Sequence, residues 1–486
     1  VKPTDRPSTT ADSDKPPSQA TVLATMAMKL YDIRADDTGA VYALPKTGAR
    51  IVRSLRGGAT SLRAELAKLH RRETGRVPTQ SALTDAIASL EGEAAEADPV
   101  KLHLRVAEDG GVLWLDLGDA TGRAVQMTRD GWSVVDAAPV WFRRTELTGP
   151  LPAPERGGNF DELWRLVNID AEDRPLVLAV LVATLLPGIP HPVTFVLAEQ
   201  GSGKSTAVKL LAGWLDPSPV PLRKAPKDEE AWVTAAAGSH VVAVDNVSKL
   251  PEWWSDALCR AATGDGDVRR SLYTNADLTV FAFRRVVWLT GIDLIGIRDD
   301  LADRAVMLHL RKIEHRRTDD AIDRAWADAH PRLLGAVCDL AVKVLAILPT
   351  VSTEDLPRMA DFGRIVRAVD AVLETDAAGR YLGMVADLAA ELADADALAE
   401  TLRQVVKAPL GQVTSAELLA MLDRNWGLDR PRPREWPGNA KALAGRLTRI
   451  KPTLEKLGWT VIKHERGGKV VALRWTLTPP LPGRAP

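Results

Sequence analysis

The run Phe195-Val-Leu-Ala-Glu-Gln-Gly201-Ser-Gly203-Lys204-Ser205-Thr206 constrains this chain more than any other stretch of it. An apolar run over Val193–Leu197 enters it and a helix-forming segment over 207–214 leaves it, so the spacing predicts strand, glycine-rich turn and helix. A turn of that kind aims backbone N–H groups and a helix N-terminus at phosphate oxygens. Gly201, Ser202, Gly203, Lys204, Ser205 and Thr206 are the expected cradle. Lys204 would reach the β- and γ-phosphates of a nucleotide and the Ser205 hydroxyl would hold Mg2+. Ala198 stands where the full pattern has its first glycine, and Gly201 and Gly203 remain to make the turn. A strand feeding a helix in this way implies an α/β fold with a parallel sheet.

Three downstream elements fit around the same triphosphate. The apolar run Val241–Val244 ends in Asp245, a carboxylate placed to bind Mg2+ through water. Asn246 follows, where ATP-driven motors usually carry a glutamate base; an amide takes no proton but can orient a water. Hydrolysis is then slow, or the base comes from elsewhere. A third apolar run over 286–289 ends in Thr290-Gly291. In AAA+ sheets this strand lies between the first two, and its terminal polar group contacts the attacking water or the γ-phosphate. That is the role expected of Thr290, the alternative being backbone hydrogen bonds alone. Arg304 stands immediately before a fourth apolar strand, where ring ATPases place an arginine finger for the neighbouring subunit's γ-phosphate. Such a finger contributes roughly 10³–10⁵ in rate. Arg304 is the first choice and Arg298 the second; an ion pair to Asp300 or Asp303 within the subunit is the alternative.

Between Asp245 and Thr290, two β-like runs flank a Thr-Asn-Ala-Asp turn and predict a hairpin. Arg269, Arg270 and Tyr273 on it would meet a phosphate backbone and a base face, unless the arginines pair with Asp265 and Asp267. Asp245-Asn246, Thr263-Gly-Asp-Gly, Arg270-x-Leu-Tyr-Thr-Asn, Thr290-Gly291, Asp300-Leu-Ala-Asp-Arg304 and Arg358-Met-Ala-Asp-Phe362 together resemble the ATPase of phage and mobile-element replication proteins. These group with the superfamily 3 helicases and the helicase part of poxvirus-type primase-helicases. The resemblance covers roughly residues 100–365. It implies an ATP- and Mg2+-dependent DNA helicase or replication ATPase, working as a homo-oligomeric ring, usually a hexamer, on single-stranded or forked DNA. It also implies that Arg358 acts as the arginine of a helical lid. The alternative function is an ATP-binding switch, helicase loader or origin-binding initiator with slow hydrolysis. No primase motif stands out, so a primase would be a separate chain.

The remaining sequence is less specific. With 486 residues and a formal net charge of −1, the chain is long enough for several domains and has no global attraction to nucleic acid. The expected divisions are a disordered tail (1–20), an N-terminal α+β domain (21–150), the ATPase core (151–317), a helical lid (318–409), a basic domain (410–478) and a frayed end (479–486). Asp116 and Asp119 in the α+β domain are expected to be solvated turn acids rather than a metal pair. Residues 411–486 carry fourteen Lys and Arg against six Asp and Glu. Two helices there, over 414–426 and 439–457, precede two strands, over 459–464 and 469–476, in the manner of a winged helix. Lys441, Arg446, Arg449, Arg466 and Lys469 are its candidate DNA contacts. Cys259 and Cys338 lie in apolar, helix-like stretches and are expected to be buried free thiols. The longest apolar stretch, 175–187, is too short to span a bilayer. No signal-like segment is seen, and a cytoplasmic location without membrane contact is expected.

Overall fold

A computed structural model of the chain describes residues 16–199, 201–264, 266–270, 278–282, 284–291, 297–313, 315–426, 431–433, 436–464 and 473–480. It is a mixed α/β molecule of two compact units. The first comprises residues up to 105 together with 116–124 and 135–144. Its opening helix, Gln19–Leu30, is capped by the Ser18 hydroxyl and buries Leu23, Ala24, Met26 and Ala27 against Gln80–Glu96. The disordered tail expected over 1–20 thus gives way to helix at Gln19, because that spacing of apolar residues outweighs the polar composition before it. An antiparallel pair, Tyr31–Ala35 with Val41–Pro45, completes the packing. Asp119 accepts the N–H groups of Thr121, Gly122 and Arg123 and is a turn acid as expected. Asp116 is not solvated: it is buried and held by both arms of the Arg144 guanidinium at 2.6 and 2.8 Å.

The second unit comprises 106–115, 125–134 and 145–486. Its central sheet has four parallel strands in the order Val241–Val244, Val286–Thr290, Val193–Leu197, Ala305–His309. These runs are rich in Val and Leu without alternation, as parallel strands covered on both faces require. A fifth position beside Val241–Val244 is reduced to one bridge, Arg223 with Val244. Prolines at 217, 219, 221 and 226 explain this, since each lacks the N–H that a ladder needs. The apolar stretch 175–187 supplies the helix Arg174–Thr184, whose residues from Leu176 to Thr184 are all buried.

Four helices follow: Asp319–Ile347, Ala360–Leu373, Ala377–Ala395 and Ala397–Val405. The first is long and apolar enough to cross a membrane by length and composition, and half of that window is buried inside this fold. Ser415–Trp426 begins with a capping box, in which Thr414 Oγ1 accepts the Glu417 N–H and Glu417 accepts the Thr414 N–H. Ala440–Lys456 continues as one helix past Pro452. The strands Leu410–Thr414, Arg474–Thr478 and Thr460–His464 form a sheet in that spatial order. Leu418, Leu422, Leu443, Leu447, Leu454 and Trp475 fill the core between this sheet and its helices.

Candidate functional site

The glycine-rich turn leaves the central strand Val193–Leu197 at its carboxyl end and enters the helix Lys204–Gly213. Gly201 and Gly203 have φ of +82° and +73°, left-handed values that glycine adopts without steric cost. Lys204 Nζ folds back to donate to the carbonyls of Ala198 at 2.5 Å and Glu199 at 3.2 Å. The turn is braced from a direction the sequence did not signal. Asn168 Nδ2 donates to the Ser202 carbonyl at 3.2 Å and to the Arg311 carbonyl. Ile169 bridges Leu310 antiparallel, so the segment after the edge strand Ala305–His309 is fixed beside the turn. Ile313 packs on Gly203 and Arg316 lies over Gly201: β-carbons there would come within 2.8 Å of Ile313 Cδ1 and 3.1 Å of Arg316 Nη2.

Asp245 and Thr290 end neighbouring strands at the same edge as the turn. The Thr290 hydroxyl donates to the Asp245 carboxylate, and the Asn246 N–H reaches both Thr290 Oγ1 and Asp245 Oδ1 at 3.0 Å. Thr290 is buried, so its hydroxyl meets the carboxylate and not the open face. Neither role weighed for it from sequence describes this contact, because the pairing crosses from one strand to the next. Asn246 has φ +57°, a left-handed conformation that Asn tolerates far better than the longer Glu. A β-carbon on Gly291 would lie 3.0 Å from Asn246 Cα, so the two strand ends interlock.

Arg304 and Arg358 sit at the other edge, while Arg298 lies beside the first turns of the helix Glu252–Thr263. Arg304 precedes its strand, and its carbonyl accepts from Val193 N, the first residue of the central strand. About five residues of extended chain, roughly 16 Å, separate that edge from the turn. Arg304 pairs with Asp300 at 2.8 Å and is 14% exposed. Arg298 is more open, 48% exposed, and pairs with Glu252 at 2.8 Å and Asp256 at 3.2 Å. Arg358 bridges Asp300 and Asp303 at 2.8 and 3.2 Å. Its guanidinium is therefore held at the amino edge, away from the glycine-rich turn of its own subunit. Burial raises the Asp300 carboxyl, but the Arg304 hydrogen bond and the charges of Arg304 and Arg358 outweigh it and hold the group low. Cys259, beneath this cluster, is free, and burial pushes its thiol up to about 11.

Of the C-terminal cations, Lys441 and Arg449 are exposed, while Arg446 is paired with Asp396 at 2.5 Å. Lys456 is paired with Asp303. A cavity of about 1200 Å³ is lined by Glu252, Arg298, Asp300, Trp436, Arg446 and Arg449 among others. Arg269 and Arg270 belong to the strand Gly266–Arg270, antiparallel to Leu278–Ala282. Tyr273, Arg466 and Lys469 lie outside the described residues. Among the described residues no group of three or more His, Cys, Asp or Glu could hold a metal ion by itself.

Comparison with known proteins gives two matches along the chain. The family described as actinomycete integrative conjugative element replication protein matches residues 160–391. The C-terminal domain of the same replication protein matches residues 395–482. No curated protein matches significantly. Among solved structures, the apo C-terminal region of NrS-1 is 11% identical with a TM-score of 0.42, covering 96% of this chain and 100% of that one. An active helicase, SCCmec type IV Cch, is 11% identical with a TM-score of 0.45, covering 92% and 93%.

Proposed function

Because the chain belongs to the family of actinomycete integrative conjugative element replication proteins, we propose that it is the ATP-driven motor of such replication: an AAA+ ATPase of the superfamily 3 type that separates DNA strands as a ring. One observation carries the reading. Lys204, Asp245 and Thr290 lie at one edge of a single parallel sheet, and Arg304 lies at the opposite edge. A subunit with its phosphate cradle on one edge and an arginine on the other is suited to head-to-tail contacts, which form a ring when the rotation between subunits closes.

In this reading the N–H groups from Gly201 to Thr206 and the Lys204 ammonium hold the β- and γ-phosphates. Ser205 and Asp245 would hold Mg2+; their hard oxygen donors suit that ion, which takes its remaining ligands from phosphate and water. The metal would neutralise charge on the phosphates. Thr290 orients Asp245 through its hydroxyl. Arg298, exposed and held only by surface carboxylates, is the cation freest to reach a neighbour; Arg304 would first have to leave Asp300. The four helices from Asp319 onward form the lid, and the C-terminal domain is a winged helix with Ala440–Lys456 as recognition helix, presenting Lys441 and Arg449 to DNA.

The test is turnover with and without single-stranded DNA, together with unwinding of a forked duplex. DNA should stimulate hydrolysis, the fork should open, and Lys204→Ala should abolish both. A rate indifferent to DNA with no strand separation rejects the motor. One observation favours a second reading, a slow ATP-binding switch or loader: Asn246 occupies the base position in a conformation unfavourable to Glu. Tight ATP binding with almost no single-turnover hydrolysis, even on DNA, would favour it.

A further inference from the structure

We propose that Arg316 is a phosphate-contacting cation supplied in cis, acting on the β–γ bridging oxygen of the nucleotide bound by its own subunit. The inference rests on the ATPase reading above and deepens it. Topology sets up the distinction. A residue just before the edge strand Ala305–His309 lies at the amino edge of the sheet, and one just after it lies at the carboxyl edge with the glycine-rich turn. Arg304 is of the first kind and Arg316 of the second.

The segment carrying Arg316 is basic: Arg311, Lys312, His315, Arg316 and Arg317 fall within seven positions that hold one acid, Glu314. It is anchored at the turn by Asn168 and by the Ile169–Leu310 bridge. Arg311 pairs with Asp170 at 3.5 Å and Arg317 donates to the Ala321 carbonyl. Arg316 has no carboxylate partner among the described residues, yet its Nη2 lies 3.1 Å from where a Gly201 β-carbon would be. A guanidinium with no carboxylate partner among the described residues, lying on the loop whose N–H groups would face the β-phosphate, is placed where negative charge grows during transfer. In hydrolysis the water oxygen bonds to the γ-phosphorus as the bond to the β–γ bridging oxygen breaks. The electron pair leaves on the β-phosphate, and the water's proton passes to the released phosphate and solvent. A fork of N–H donors at that oxygen stabilises the departing charge without crossing a subunit interface. Gly201 thus serves the left-handed turn and leaves room for this close approach.

The experiment compares the wild-type chain with Arg316→Ala, Arg316→Lys and Lys204→Ala. For Arg316→Ala, the rate at saturating ATP should fall on the order of 10²–10³-fold. A fluorescent ADP should bind within about threefold of wild type, which also reports a folded site, and a non-hydrolysable ATP analogue should bind more weakly than ADP does. Arg316→Lys, which keeps the charge and loses the fork, should recover part of the rate. Mixed rings decide between cis and trans: Arg316→Ala subunits combined with Lys204→Ala subunits should show no recovered turnover, because neither has an intact site of its own. Recovery in the mixture, or a rate unchanged by Arg316→Ala in an active protein, overturns the proposal. A wild-type chain that binds no nucleotide overturns the ATPase reading itself, and this inference with it.

Discussion

Thr290 illustrates how a single hydroxyl divides two kinds of role. Its position at the end of a buried strand was legible in the sequence, but its partner, Asp245, is 45 residues away in the chain and beside it only in the folded sheet. We expect Thr290→Val, which keeps the shape and removes the donor, to weaken the Mg2+ dependence of turnover about 10–100-fold while leaving metal-free nucleotide binding near wild type. Thr290→Ser should restore most of it. A Mg2+ titration of the rate checks this, and an unchanged titration in Thr290→Val would show that the hydroxyl has no bearing on Asp245. Asn246 was legible only as a departure from pattern; its left-handed backbone supplies a reason that no spacing could supply. Asn168 and Arg316 went unread because isolated polar residues beside a strand look the same whether they brace a turn or face water.

At the level of elements, the parallel sheet was readable because each of its strands is a largely apolar run with a polar or glycine-rich signal at one end. Leu410–Thr414 was not: a register shift between Leu410 and Val413 and a left-handed Gln412 break the alternation that marks a strand. The long helix Asp319–Ile347 poses a different problem, since Pro331 removes one of its N–H donors in mid-course. The chain around Glu155 packs against the helix one turn further on. Glu155 N–H donates to the Pro331 carbonyl at 2.9 Å, and a β-carbon on Gly335 would overlap the Glu155 carbonyl oxygen. Gly335→Ala gains about 1 kcal/mol of helix propensity. It loses more through overpacking against backbone, where about 1–3 kcal/mol or above is usual. Net destabilisation is expected in a denaturant titration. Gly383→Ala, on the open face of the helix Ala377–Ala395, meets nothing within 4 Å and should stabilise by about 0.5–1 kcal/mol. Equal effects at the two sites would mean that the close approach of Glu155 to Gly335 is not maintained in solution.

For the molecule as a whole, near-neutral charge conceals a sheet with a glycine-rich turn at one edge and the Arg304–Asp300–Arg358 cluster at the other, and no composition could have revealed that. It also conceals histidines whose charge state is tied to folding. His330, on the long helix, stacks on Trp326 at 4.6 Å, and its Nε2 meets the carbonyl of Trp214, the residue that ends the helix of the glycine-rich turn. Burial lowers its pKa to about 4, the hydrogen bond to Trp214 offsetting only part of the effect. His191, fully buried under the sheet, is lowered in the same direction by burial and by the charges of His240, Arg284 and Arg285. Both are neutral in the fold, whereas an unfolded chain takes up their protons below about pH 6.5. The unfolded state therefore binds more protons, and stability falls as pH drops from about 6.5 toward 4. For His330 the loss reaches about 2 kcal/mol by pH 5, at roughly 1.4 kcal/mol per pH step. Asp173 acts in a separate window. Burial raises it, but hydrogen bonds from His309 and Arg380 outweigh that and keep it low, so its contribution persists above about pH 4 and is lost only as pH falls through its folded value. Urea titrations at pH 7 and pH 5 separate these effects. His330→Gln, which can keep a donor to Trp214 without a titrating ring, should be less stable than wild type at pH 7 yet lose less between the two pH values. An identical loss in both proteins would mean that His330 takes up its proton in the folded state as readily as in the unfolded one, and that the long helix is not locked to the end of the helix Lys204–Gly213 by a neutral ring.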